Sequence, residues 1–124
     1  MVAVAEIEKR GGTAVALPPA IADTARFPAF RRAVAEALRT TWQRDTFDHL
    51  VNNAGFAGES MTEDTTEEMF DRLTRGLFKR PFFLARARLP LMADGGAIVN
   101  ATSNSALAHV TAPGYSVYAS LEGA

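Results

Sequence analysis

An α/β fold built on a parallel sheet is the class that this sequence predicts, and three observations predict it. Helix-like and strand-like segments alternate along the chain, the pattern of sheets whose strands are joined by crossover helices. Glycine and proline pairs punctuate the boundaries, at Gly11-Gly12, Pro18-Pro19 and Gly95-Gly96. Two of the strands run straight into polar clusters, Asn52-Asn53-Ala54-Gly55 and Thr102-Ser103-Asn104-Ser105. Parallel sheets collect ligands at that place, beyond the carboxyl ends of their strands.

The elements follow in order. Residues 2–9 mix alanine, valine and glutamate in a helix-forming run, which Gly11-Gly12 stops. Residues 13–17 alternate small and β-branched side chains and read as a short strand, ended by Pro18-Pro19. A second helix is expected after an N-cap at Asp23 or Thr24. Its residues Phe27, Phe30, Val34, Leu38 and Trp42 recur three or four apart and predict one buried stripe. Residues 47–52 form the next strand.

Thr65 and Glu68 have the spacing of a capping box and open a third helix, with Phe70, Leu73, Leu77 and Leu84 on its apolar stripe. Pro81 lies within that helix and is expected to kink it, because proline offers no backbone donor to the preceding turn. Asp94-Gly95-Gly96 is expected to turn the chain into a strand at 97–101. Pro113 begins a last helical segment.

Composition excludes several function classes. The 13 basic and 14 acidic residues are mixed along the chain, leaving a net charge of −1. No field of one sign exists to recruit nucleic acid or an acidic membrane surface. There is no cysteine, so disulfide frameworks and thiolate metal sites are out of reach. His49 and His109 share no metal-ligand spacing, and no metal site is expected. No apolar run approaches a membrane span, and the amphipathic start is not a signal peptide, so a cytoplasmic protein is expected.

Taken singly, the two polar clusters are ordinary turn and cap sequences. Together with Tyr115 and Tyr118, they resemble the short-chain dehydrogenases/reductases. The resemblance is carried by FDHLVNNAG at 47–55, GGAIVNATS at 95–103 and PGYSVYAS at 113–120, in that order and in strand and helix context. It implies an incomplete Rossmann-type, doubly wound parallel sheet, to which the chain supplies strands 3, 4 and 5 of the family with their intervening helices. As a domain, residues 1–124 are expected to be a partial NAD(P)-binding unit truncated at both ends. The family's opening glycine-rich turn, T-G-x-x-x-G-x-G, has no counterpart in this sequence. In the family strand order 3-2-1-4-5-6, such a piece leaves strand edges open, and a marginal fold is expected in isolation.

The resemblance further implies hydride transfer between NAD or NADP and a small-molecule alcohol or carbonyl, by an oxidoreductase with a possible homo-oligomeric state. Tyr118 matches the general acid/base tyrosine of the family motif Y-x-x-x-K. Ser103, by its strand position, or Ser105, by its spacing to Tyr118, matches the serine that holds the substrate oxygen. Asn52, Asn53, Ala54 and Gly55 would line the cofactor cleft, and Tyr115 reads as a packing or substrate-side residue.

Three positions depart from the family pattern. Glu122 stands where the lysine that touches the cofactor ribose belongs, and a carboxylate there disfavours a phenolate where a lysine favours it. Leu77 stands at the asparagine of a proton relay and has neither donor nor acceptor. Ala20 stands where an aspartate near the adenine is usual. An impaired enzyme, inactive as the chain stands, is therefore expected. The alternative is a non-enzymatic interaction or dimerisation module on the same scaffold. Arg72, Arg75, Lys79 and Arg80 could then face a partner, although a solvated helix face is the favoured account of them.

Overall fold

The computed structural model describes residues 2–17, 26–107 and 112–124. In chain order the elements are α1 (Val2–Lys9), α2 (Phe27–Trp42), β1 (Phe47–Asn52), α3 (Glu67–Leu73), a π-helical turn (Thr74–Lys79), α4 (Arg80–Arg88), β2 (Met92–Asn100) and α5 (Ser116–Glu122). Short 3-10 turns stand at Thr62–Asp64, Leu89–Leu91 and Asn104–Ala106.

The first helix ends as its glycines predict. Gly11 takes a left-handed φ of 80°, and the Gly12 amide donates back to the Ile7 carbonyl at 3.0 Å. Residues 13–17, expected as a strand, pair with nothing: among the described residues the sheet consists of β1 and β2 alone. An extended run needs a neighbouring backbone to become a strand, and side-chain alternation cannot supply one.

In α2 the N-cap is Arg26, with no side-chain cap, and Pro28 lies in the first turn. Asp23 and Thr24 lie outside the described residues, as do Pro18, Pro19, Ala20 and His109. The expected buried stripe is only partly buried. Phe27 is fully enclosed, Phe30, Val34 and Leu38 are half-buried, and Trp42 is exposed. The helix packs on α4, where the Arg88 guanidinium covers the Phe30 ring 4.6 Å from its centroid. Partial burial there pushes the Arg88 pKa down.

β1 and β2 run parallel, with Leu50 opposite Ile98, Val51 opposite Val99 and Asn52 opposite Asn100. Asp94-Gly95-Gly96 does not precede the strand but lies inside it, as an irregularity in the register between Phe47 and His49. Gly95 has a φ of 80° there. A Cβ on Gly96 would stand 2.5 Å from the Asp48 carbonyl, so glycine is what lets the two backbones approach. The expected strand end at Ala101 falls one residue earlier, although the Ala101 amide still donates to the Asn52 carbonyl at 2.9 Å.

The third helix is capped by Thr66, whose Oγ1 accepts from the Met69 amide at 3.2 Å, rather than by Thr65. Thr65 instead donates its hydroxyl to the Met61 carbonyl at 2.9 Å. Pro81 lies inside one unbroken helical run over 67–88, as expected; the turn before it, Thr74–Lys79, widens to π geometry, and Pro81 follows as the second residue of α4. Leu73 at the end of α3 is wholly buried and Leu50 in β1 is buried, whereas Val51 and Val99, on the opposite face of the sheet from Leu50, are 60% and 52% exposed. No helix among the described residues is long and apolar enough to cross a membrane.

Candidate active site

A parallel pair with helices on one side leaves a cleft at the carboxyl ends of its strands, and a cavity of about 700 Å³ occupies that place. Asn52, Asn53, Ala54 and Gly55 form one wall, as they leave β1. Asn100, Ala101 and Thr102 leave β2 on the adjoining wall, and Tyr118 and Glu122 enter from α5. Leu77, Pro81 and Phe82 close the helical side.

Local chemistry explains how these groups are held. Asn52 and Asn100, the last residues of the paired strands, join their amides, with Asn52 Nδ2 donating to Asn100 Oδ1 at 2.9 Å. Thr102 donates its hydroxyl to the Glu122 carbonyl and so ties the end of α5 to the segment after β2. At the other end of α5, Ser116 and Thr62 share a hydroxyl hydrogen bond of 3.2 Å. Tyr115 meets Tyr118 edge-on, with centroids 5.8 Å apart, and itself stands outside the cavity wall.

The expected site residues are thus brought together in part. Tyr118, Glu122 and the four residues 52–55 share one cavity. Ser103 and Ser105 do not line it. Ser103 caps the short turn Asn104–Ala106, and its Oγ accepts from the Ser105 amide at 3.2 Å and from the Ser105 hydroxyl at 2.8 Å. The side chains compete for local backbone donors, as serines before a turn commonly do. Leu77 does line the cavity and presents only hydrocarbon. Asn100 in the wall was not singled out by sequence reasoning, although a signal existed, since both strands end on asparagine. Thr102, expected only as part of a polar cluster, lines the wall, and Arg80, expected on a partner-facing or solvated helix face, donates Nη2 to the Ala54 carbonyl at 3.0 Å.

The wall offers side-chain amides at Asn52, Asn53 and Asn100, the Tyr118 hydroxyl and the Glu122 carboxylate, donors and acceptors of the kind that carboxamides and sugar hydroxyls pair with. Among the described residues, no group of acidic side chains and histidines could hold a metal ion.

Comparison with known proteins gives the family. A family profile described as enoyl-(acyl carrier protein) reductase matches residues 2–124. A short-chain dehydrogenase/reductase from Pestalotiopsis microspora is 36% identical over 121 residues, which is 98% of this chain and 43% of that protein. The chain belongs to the short-chain dehydrogenase/reductase family. Versicolorin reductase 1 of Aspergillus parasiticus is 31% identical, over 98% of this chain and 44% of its own length. Among solved structures, the angucycline C-6 ketoreductase LanV with bound NADP superposes with a TM-score of 0.86 at 31% identity, covering 97% of this chain and 46% of that one. The fold is accordingly part of a Rossmann-type sheet, and the chain spans less than half the length of these relatives.

Proposed function

We propose that this chain forms the tyrosine-bearing side of an NAD(P)-dependent oxidoreductase cleft that interconverts a carbonyl and an alcohol, and that it does not turn over alone. The observation that carries this reading is the single cavity shared by Tyr118, Glu122 and residues 52–55. The relatives named as reductases, and the NADP in the LanV structure, support the carbonyl-reducing direction and the cofactor class.

In this reading Tyr118 is the general acid/base, giving its hydroxyl proton to the carbonyl oxygen during reduction and recovering it in the reverse direction. Ser105 or Ser103 orients that oxygen, once its hydroxyl turns from its serine partner. Asn52, Asn53, Ala54 and Gly55 hold the nicotinamide side of the cleft. Glu122 supplies acceptor oxygens for ribose hydroxyls, as acidic residues do elsewhere in dinucleotide sites. The cofactor, when bound, supplies or accepts the hydride. Two features of the chain oppose turnover: the carboxylate one helical turn from Tyr118 disfavours a phenolate, and Leu77 cannot pass a proton.

The test is an NMR titration with NADPH and NADH. Shifts concentrated at 52–55 and on α5, with an affinity weaker than micromolar and no reduction of a test ketone, are expected. Shifts scattered elsewhere would sink the cleft assignment, and micromolar binding with turnover would sink the claim of impairment.

A non-enzymatic interaction module is the second reading. It is favoured by the open face of the sheet, where the paired Val51 and Val99 are 60% and 52% exposed, since exposed apolar surfaces mark association sites. Light scattering after size exclusion separates the two. A stoichiometric oligomer without nucleotide binding supports the module, and a monomer excludes it. A cytoplasmic setting accords with either.

A further inference from the structure

The wall formed by Ala54 to Phe56 has no strand or helix of its own, since regular structure stops at Asn52 and resumes at the turn Thr62–Asp64. Its shape must come from contacts with its surroundings. Those contacts form a series along one helix. The Ala54 carbonyl accepts from Arg80. Gly55 lies where a Cβ would touch Leu77 at 3.4 Å, and the Phe56 ring fills the space beside buried Gly76. Arg72 then covers the Phe56 ring at 5.5 Å. Of these four contacts, the two at Gly55 and Gly76 are apolar and fix distance only, and the Arg72 contact lies over a ring face. The hydrogen bond from Arg80 is the one that fixes the direction of a peptide unit.

Arg80 has no ion pair among the described residues. The residue is half-buried and reaches toward the loop, as Arg72 does, instead of standing in solvent with Arg75 and Lys79. The π-helical turn Thr74–Lys79 ends immediately before it. A π turn holds an extra residue, which re-phases the side chains that follow it, and such turns recur at functional sites.

We propose that Arg80 is a positioning residue that sets the Asn53–Gly55 wall by holding the Ala54 carbonyl. It touches neither the cavity nor any reacting atom; it acts through the loop. Only the consequence for a nucleotide rests on the reading of the cavity as a cofactor cleft, and the loop restraint is measurable without one.

The experiment is NMR of the loop backbone, as the Ala54 carbonyl carbon shift and amide order parameters at 53–56, on the chain as it stands, on Arg80→Ala and on Arg80→Lys. Loss of the Arg80 bond is expected to move the Ala54 carbonyl resonance and to lower the order parameters at 53–56 from the rigid toward the flexible range in Arg80→Ala, with β2 residues 98–100 unchanged. Arg80→Lys keeps a cationic donor and is expected to recover most of the order. An Ala54 carbonyl shift and loop order unchanged in Arg80→Ala overturn the proposal. An equal loss of order throughout the chain also overturns it, because Arg80 would then be a general stabiliser. So does a lysine variant no better ordered than alanine. If the loop responds as expected but NADPH shifts no resonance at 52–55, the positioning role stands and the cofactor reading falls.

Discussion

Asn52 and Asn100 end two parallel strands at the same register position and join their side-chain amides at 2.9 Å across the mouth of the cavity. The backbone repeats the link one residue on, where the Ala101 amide donates to the Asn52 carbonyl. The strand ends are therefore clamped where both chains leave the sheet and become the cavity wall.

A double-mutant cycle measures the clamp. Asn52→Ala and Asn100→Ala are each expected to lower stability by about 0.5–1.5 kcal/mol, the net worth of one hydrogen bond. Because the two share a single bond, the double variant should cost less than the sum by about 0.5 kcal/mol or more. Urea unfolding supplies the numbers, and strict additivity would show that the amides do not interact in solution.

Gly76→Ala tests the packing beneath the loop. A Cβ at Gly76 would collide with the Phe56 ring. Displacing that ring from a filled space should cost about 1–3 kcal/mol, visible as a lower Tm. Phe56→Leu in the same chain should return part of the loss, since the smaller side chain vacates the contested volume. An alanine variant as stable as the parent would contradict the contact.

Arg44 and Asp48 give a pH dependence of known sign. Arg44 donates from Nη1 and Nη2 to the two Asp48 oxygens at 2.6 and 2.8 Å. This hydrogen bonding is the main cause that holds the Asp48 carboxyl below its ordinary range, against an opposing push from desolvation. A depressed folded pKa gives stability that is complete above the unfolded value, about 3.9 for aspartate, and that is lost as pH falls through the folded value. Arg44→Gln should therefore raise the Asp48 midpoint in an NMR titration and start acid unfolding at higher pH. An unmoved midpoint would show that the pair does not persist in water.

Glu122→Lys exchanges a carboxylate for a cation on the cavity wall. NADPH is an anion, and the exchange should tighten its binding on the order of tenfold at low salt, about 1.4 kcal/mol. The gain should shrink as salt screens it, with Glu122→Gln falling between parent and lysine variant. Equal affinities for the three would mean that Glu122 does not face the bound nucleotide.

How far the residues foretold this arrangement depended on the range of the interaction. Gly11 stops α1 and Phe47–Asn52 is a strand, as local pattern predicts, because both follow from backbone conformation and side-chain period within a few residues. The motifs at 47–55, 95–103 and 113–120 identified the family and put Tyr118 and Asn52 in the same neighbourhood. Boundaries were less legible. Thr65 and Thr66 are equally good caps on paper, and the choice fell to Thr66, whose hydroxyl meets the Met69 amide while Thr65 bonds backward to Met61.

What the sequence determined by itself was the set of elements with strong local codes, the family, and the chemical groups on offer at the strand ends. Only the tertiary structure decided that residues 13–17 pair with no strand among the described residues, that Asp94-Gly95-Gly96 is taken into β2, and that Arg80 reaches the Ala54 carbonyl. It also decided that Tyr118 and Glu122 share the cavity while Ser103 and Ser105 turn to each other. The physical reason is common to all of these. Each depends on a partner distant in sequence or on a choice between competing hydrogen bonds, and neither is encoded in the periodicity of a single segment.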